Sequence, residues 1–259
     1  MRINLLAYYL KRFSWIPYAP FRYKDRINNP IFLLGNQGDG ITFISRILRR
    51  NESTFCITGN KNYWTGADEM CTVCEPLLSK NLRLAGRLLK TDPSHDIFTQ
   101  PRSWSYGSND LFKSYYQDEC KVEKDDIKTL KKAINIASFR FGGCNKRFVD
   151  KSQLYTLKSR AIQSILKEHN PYFILITRNP YISCYRAASG KAGDLKRYSK
   201  TMSFDERYDV ALQHWKNCMD TILSDSKYLE NFKVIKFEDF ISDVEGSTRK
   251  LCNFLNLKY

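Results

Sequence analysis

The chain has no run near the roughly 20 apolar residues that a membrane-spanning helix needs. Its briefly apolar start, residues 1–7, leads into aromatics, Lys11 and Arg12 rather than a small-residue cleavage pattern. A spanning helix and a secretory signal are therefore not expected. Residues 1–29 read as an N-terminal arm against the domain, with a short peripheral contact on a membrane surface as the alternative. Repeats and low-complexity stretches are also missing. Acidic residues are few: 27 Asp and Glu stand against 42 Lys and Arg, for a net charge of +15. That balance favours an anionic partner such as a nucleotide, nucleic acid, acidic glycan or lipid surface. Cysteine is sparse at eight residues, mostly in apolar surroundings, which fits reduced thiols in a cytoplasmic protein. Cys71 and Cys74 form a C-x-x-C, but no second pair accompanies them, which argues against structural zinc. No helix-turn-helix, RNA-recognition or zinc-finger pattern supports a nucleic-acid partner.

What is present is a substantial apolar fraction, 42%, with 14% aromatics, enough for a core. Strand and helix signals alternate. Short apolar runs at 30–34 (PIFLL), 54–58, 147–149, 172–177 (YFILIT) and 232–236 (FKVIK) read as strands. Helical spacing covers 42–50, 76–90, 125–137, 153–168, 181–188, 204–223 and 244–255. Residues 95–109, rich in Pro, Ser, Trp and Tyr, read as irregular and surface-directed. The alternation predicts an α/β fold: a parallel β-sheet flanked by helices on both faces, with ligands bound beyond the carboxyl ends of its strands. The whole chain, 1–259, reads as one domain, with about 60–145 as an insertion.

Two loops lie at such strand ends. The first, Gly35-Asn36-Gln37-Gly38-Asp39-Gly40-Ile41-Thr42, joins a buried strand to a helix. Glycines let successive N–H groups converge on one point, and the helix N-terminus adds positive potential, so the segment suits an anion. It is not a Walker A loop, because Ile41 stands where that pattern carries lysine, and its glycines do not fit the Rossmann spacing. The second, Thr177-Arg178-Asn179-Pro180, also ends a buried strand and opens a helix. Arg178 offers a planar fork matched to phosphate, and Ser183 and Arg186 share one face of the helix that follows.

At these residues the sequence resembles the sulfotransferases that use 3′-phosphoadenosine-5′-phosphosulfate (PAPS). PIFLLGNQGDGITFISRIL (30–48) is similar to that family's glycine-rich 5′-phosphosulfate loop with its flanking strand and helix. FVDKSQ (148–153) resembles its frequent Glu-Lys-Thr-Pro stretch, and FILITRNPYISCYR (173–186) its strand ending in Arg-(Asp/Asn)-Pro. VIKFEDFISDVEGSTRKLCNFLNL (234–257) resembles its last strand, turn and helix. The resemblance implies a P-loop-like sulfotransferase architecture and transfer of a sulfonyl group from PAPS to a hydroxyl or amine, without a metal. It implies that Gln37, Gly38, Asp39, Gly40, Ile41 and Thr42 cradle the 5′-phosphosulfate. Phe43 would stack on adenine, and Arg178 would hold the 3′-phosphate with Ser183 and Arg186. There are two departures. Gly38 stands where the family usually carries Lys or Arg, so Lys61, Lys151 or Arg46 would have to supply that charge. Arg186 stands where the family usually has a serine.

Sulfonyl transfer calls for a base on the acceptor. Glu69 and Asp68 are the first candidates and His95 the next. His169 reads as a helix C-terminal cation and His214 as a core or helix-surface residue. Aromatics between 61 and 109 are compatible with a glycan or glycolipid acceptor. The competing readings are a P-loop-type kinase, a basic nucleic-acid-binding protein, and an inactive relative that binds PAPS. The missing lysine after Gly40 and the lack of an evident magnesium aspartate argue against the kinase.

Overall fold

All five expected strands form, and they form one sheet. The computed structural model describes residues 25–57, 69–70, 104–142, 145–191 and 195–259. In chain order the elements are β1 (Ile31–Leu34), α1 (Ile41–Leu48), β2 (Thr54–Cys56), α2 (Phe112–Tyr115), α3 (Lys124–Ala137), β3 (Arg147–Asp150), α4 (Ser159–Leu166), β4 (Tyr172–Thr177), α5 (Pro180–Ala188), α6 (Phe204–Asp225), β5 (Asn231–Lys236), α7 (Phe237–Ser242) and α8 (Val244–Leu255). The sheet order is β2-β3-β1-β4-β5, and every pairing is parallel.

β1 lies at the centre and is buried along its whole length. Successive side chains of a strand point to opposite faces, and here each face has its own core. Phe32 and Leu34 join Leu130 and Ile134 of α3, Ile162 of α4 and Ile222 of α6. Ile31 and Leu33 join Ile44 of α1, Phe240 of α7 and Leu251 of α8. Helices therefore cover both faces, which is why the central runs are continuously apolar rather than alternating. β5 is the partly exposed edge; Lys233 and Lys236 lie along it, a common means of blunting a sheet edge. Arg147, at the start of β3, donates to the backbone oxygens of Asn29 (2.7 Å) and Leu255, fastening the segment before β1 and the end of α8 to the sheet.

The structure adjusts several sequence-based expectations. The helix expected over 153–168 begins as a 3-10 turn (Gln153–Leu157) and breaks at Lys158, whose φ of −127° is not helical; α4 starts only at Ser159. Around the break the chain is engaged elsewhere: the Leu157 carbonyl accepts from Gln117 N–H at 3.0 Å, and the Thr156 hydroxyl is tied to Gly35. The described part of 95–109 is not wholly irregular or surface-directed. Trp104–Gly107 is a 3-10 turn, and Tyr106 is buried with its ring edge-on to His214 of α6 at 4.6 Å. Ile127 of α3 is exposed although Leu130 and Ile134 are core. His214 is buried, while His169 ends the turn after α4 with its Nε2 3.3 Å from Asp25 Oδ2. Cys56, Cys184, Cys218 and Cys252 are buried free thiols, and Cys120 is exposed. Residues 1–7, Lys11, Arg12, Lys61, Asp68, Cys71, Cys74, His95, Cys144 and the helix expected over 76–90 lie outside the described residues. Among the described residues no helix is long and apolar enough to cross a membrane.

Candidate nucleotide site

Parallel pairing puts the carboxyl ends of all five strands on one edge of the sheet. The loops after β3, β1, β4 and β5 therefore stand side by side there, in that order. The chain leaving β1 runs through α1 to β2 at one margin; the chain leaving β4 runs through α5 and α6 to β5 at the other. Loops that diverge in this way open a crevice between them, the usual ligand position in such sheets.

The glycine loop is held in shape by its neighbours. Gly35 N–H donates to Thr156 Oγ1 at 3.0 Å, and the Thr156 hydroxyl lies 3.3 Å from Gly35 O. A Cβ on Gly35 would stand 2.5 Å from the Ile176 carbonyl oxygen, so glycine lets the end of β1 lie directly against β4. Gly40 caps α1 with φ 97°, and a Cβ there would overlap the Phe237 ring. α1 has no side-chain cap and no acidic residue in its first turn; the carboxylate beside its N-terminus is Asp39, which directly precedes the Gly40 cap.

Arg178 leaves β4 and reaches across to the loop. Its Nη1 donates to Gly38 O at 2.9 Å, and its guanidinium lies over the Phe237 ring at 4.8 Å. Glu238, at the start of α7, accepts from Asn179 N–H at 3.0 Å and stands 3.9 Å from Arg178 Nε, too far for a hydrogen bond. Phe43 is partly exposed and edge-on to Phe237 (6.1 Å) and Phe240 (6.2 Å). The sequence picks Phe43 and Arg178 independently; the structure joins them through Phe237, which motif reasoning did not single out.

Two side chains behave differently from simple phosphate ligands. Asp39 is completely buried, with Oδ2 accepting from Asn36 N–H at 2.9 Å and Oδ1 accepting from the Ser183 hydroxyl at 2.6 Å. Ser183 is itself buried at the base of α5, so its proton faces Asp39 rather than the crevice. Burial pushes the Asp39 carboxyl up to about 7, against the pull of Ser183, Asn36 and Arg178.

On the β3 side, Lys151 and Glu69 form an ion pair at 2.9 Å, with Lys151 almost fully buried. Asp150 organises the pair: its Oδ1 accepts from Met70 N–H at 2.7 Å and its Oδ2 from Ser152 N–H at 2.8 Å. Burial raises the Asp150 carboxyl to about 6 despite these bonds, and Glu69 nearby adds to the rise. In the sequence Asp150 appears only within the FVDKSQ stretch, with no role of its own; the return of residues 69–70 gives it a partner. Glu69 and Lys151 are thus brought together, whereas Asp68 and His95 lie outside the described residues.

Several buried polar atoms of the loop, of Arg178 and of α5 have no hydrogen-bond partner: both amide atoms of Asn36, Gln37 Oε1, Arg178 Nε and Arg186 Nε. Buried polar atoms are normally satisfied, and orphans call for an explanation. Asn36 was not picked out from the sequence, where it is one of several polar residues between glycines. No group of His, Cys, Asp and Glu fit to hold a metal ion occurs among the described residues.

A parallel sheet with a glycine loop on its central strand, and an arginine closing against that loop from the next, defines a P-loop-like α/β protein. Residues 30–259 match the sulfotransferase family, and the chain belongs to it. Its fold is similar to a sulfotransferase domain of the curacin biosynthetic pathway, at 17% identity and TM-score 0.50 over 90% of this chain and 76% of that one. It is similar to sulfotransferase STF1 of Mycobacterium tuberculosis at 13% identity and TM-score 0.55, over 96% and 73% of the two chains. It is also similar to STF9 of Mycobacterium avium, at 12% identity and TM-score 0.53 over 96% and 69%. A search of curated proteins finds no match.

Proposed function

We propose that this sulfotransferase-family protein uses PAPS as donor and passes its sulfonyl group to a hydroxyl or amine, with a glycan or glycolipid as the acceptor class. One observation carries the reading: Arg178 and the glycine loop meet at 2.9 Å on the carboxyl edge of adjacent strands. A donor with phosphate groups at both ends of its ribose needs two anion sites a few ångströms apart. The orphaned donors, Asn36 Nδ2 and the Nε atoms of Arg178 and Arg186, suit the phosphates of such a ligand.

In this mechanism the loop 37–42 and the start of α1 hold the 5′-phosphosulfate, while Arg178 and Arg186 hold the 3′-phosphate. The acceptor oxygen or nitrogen attacks sulfur in line, the bond from sulfur to the 5′-phosphate oxygen breaks, and the bisphosphate leaves. Glu69 takes the acceptor's proton. Lys151 holds Glu69 and supplies positive charge on the side of the loop where Gly38 has no side chain. The electrostatic task is to stabilise charge accumulating on the leaving phosphate.

The deciding experiment is a thermal-shift titration with 3′,5′-adenosine bisphosphate (PAP) against ATP–Mg²⁺, for wild type and Arg178→Ala. A ligand that binds the native state raises the melting temperature by mass action. Stabilisation by PAP that is lost in the variant supports the reading. A preference for ATP–Mg²⁺ would favour the kinase instead. Gly38 keeps one further reading in play: an inactive relative would show the PAP shift but no sulfonyl transfer to any acceptor.

A further inference from the structure

A carboxylate is an odd group to bury inside a cradle for anions. Asp39 sits between the two proposed phosphate segments and contacts both: Asn36 N–H from the glycine loop at 2.9 Å and the Ser183 hydroxyl from α5 at 2.6 Å. The charged and titratable groups facing it are Arg178 after β4, Glu238 of α7, Cys184 of α5 and Cys218 of α6. Both thiols are pushed up by burial, and the Asp39 charge adds to that. They therefore stay neutral near pH 7, and Arg178 is the one favourable charge among these four.

A serine hydroxyl carries a single proton. With Asp39 ionised, that proton is given to Oδ1. With Asp39 protonated on Oδ1, the same 2.6 Å contact reverses: the carboxyl O–H donates to Ser183 Oγ, and the serine proton is released for another acceptor. The distance suits an O–H···O bond in either direction. The Asn36 bond to Oδ2 is kept in both states.

We propose that Asp39 is a protonation-controlled positioning residue, and that the donor nucleotide binds with uptake of one proton from solvent by Asp39, which turns the Ser183 hydroxyl toward the nucleotide's phosphate. This rests on the reading of the site as a PAPS site. Neutralising Asp39 removes an anion from the cradle, and the reversal converts Ser183 from a strut into a phosphate donor. Because burial holds the carboxyl near 7, the proton is within reach at physiological pH.

The test is calorimetric titration with PAP between pH 6 and 9, in pairs of buffers of different ionisation enthalpy. At pH 8 the wild type is expected to take up close to one proton per PAP bound, and above the midpoint its affinity falls about tenfold per pH unit. Asp39→Asn keeps both contacts, its amide donating to Ser183 and its carbonyl accepting from Asn36; it should bind with no linked uptake and no such fall. Ser183→Ala should weaken binding about tenfold at pH 6, the scale of a hydrogen bond to a charged group. Binding by wild type without proton uptake at pH 8 overturns this inference alone, and needs no variant to fold. Full PAP affinity of Ser183→Ala at pH 6 overturns the reversal. No PAP binding at any pH overturns both the inference and the site reading beneath it.

Discussion

Gly40→Ala is the sharpest probe of how the glycine loop and α7 are coupled. Gly40 has φ 97°, and an added Cβ would lie 2.1 Å from Phe237 Cδ2 and 2.3 Å from Cε2. The ring cannot simply swing away, because Phe43 meets it edge-on and the Arg178 guanidinium lies 4.8 Å from its centroid. Left-handed backbone strain in an L-residue costs about 1–2 kcal/mol, and forcing an extra methyl into a packed contact about 1–3 kcal/mol, so about 2–5 kcal/mol is expected in all. Against a typical total stability of about 5–15 kcal/mol this is readily seen in urea denaturation. Displacing Phe237 should also move Arg178, so the PAP-induced thermal shift should shrink. The diagnostic step is a double-mutant cycle with Phe237→Ala, which removes the clashing ring atoms. The pair should be less destabilised than the sum of the two singles. A Gly40→Ala protein within about 0.5 kcal/mol of wild type, or strictly additive effects, would refute this picture of the loop.

Burial raises Asp39 to about 7 and Asp150 to about 6 from an ordinary 3.8, so the native state keeps protons that the unfolded chain gives up between about pH 4 and 7. The stability these groups contribute is present in full below about pH 4 and is lost as pH rises through 6 to 7. For Asp39 the difference is about 4 kcal/mol, to order of magnitude. Asp39→Asn should therefore narrow the gap between urea midpoints at pH 5 and pH 8, and an unchanged gap would sink the assignment. Glu69→Gln should lower the turnover number by roughly a hundredfold or more while sparing PAP binding, as loss of a general base does; equal loss of both would make Glu69 structural. Thr156→Val removes the hydroxyl that both accepts from and donates to Gly35, with an expected cost of about 1–3 kcal/mol and weaker PAP binding. Unchanged PAP affinity in that variant would show that the loop keeps its shape without the tie.

The sequence by itself determined the local chemistry. Continuous apolar runs as short as 172–177, bounded by breakers and rich in β-branched and aromatic residues, read as strands buried on both faces, and their alternation with helices points to a parallel, covered sheet. Glycines at 35, 38 and 40 after such a run mark a loop open to anions, and Arg178 at another strand's end marks a second. These readings rest on spacing along the chain, which survives without knowing where the chain goes. What the tertiary structure alone decided concerns partners distant in sequence. The sheet order places β4 beside β1 and so brings Arg178 to Gly38, 140 residues away. The break at Lys158 coincides with long-range bonds, Thr156 to Gly35 and Leu157 to Gln117, that no helical pattern anticipates. Asp39 is the clearest case. In sequence it is one polar residue in a glycine loop, expected with its neighbours to cradle a phosphosulfate. Only the fold turns it inward onto Ser183 and removes it from water, and that desolvation pushes the carboxyl up to about 7 and underlies its proposed role.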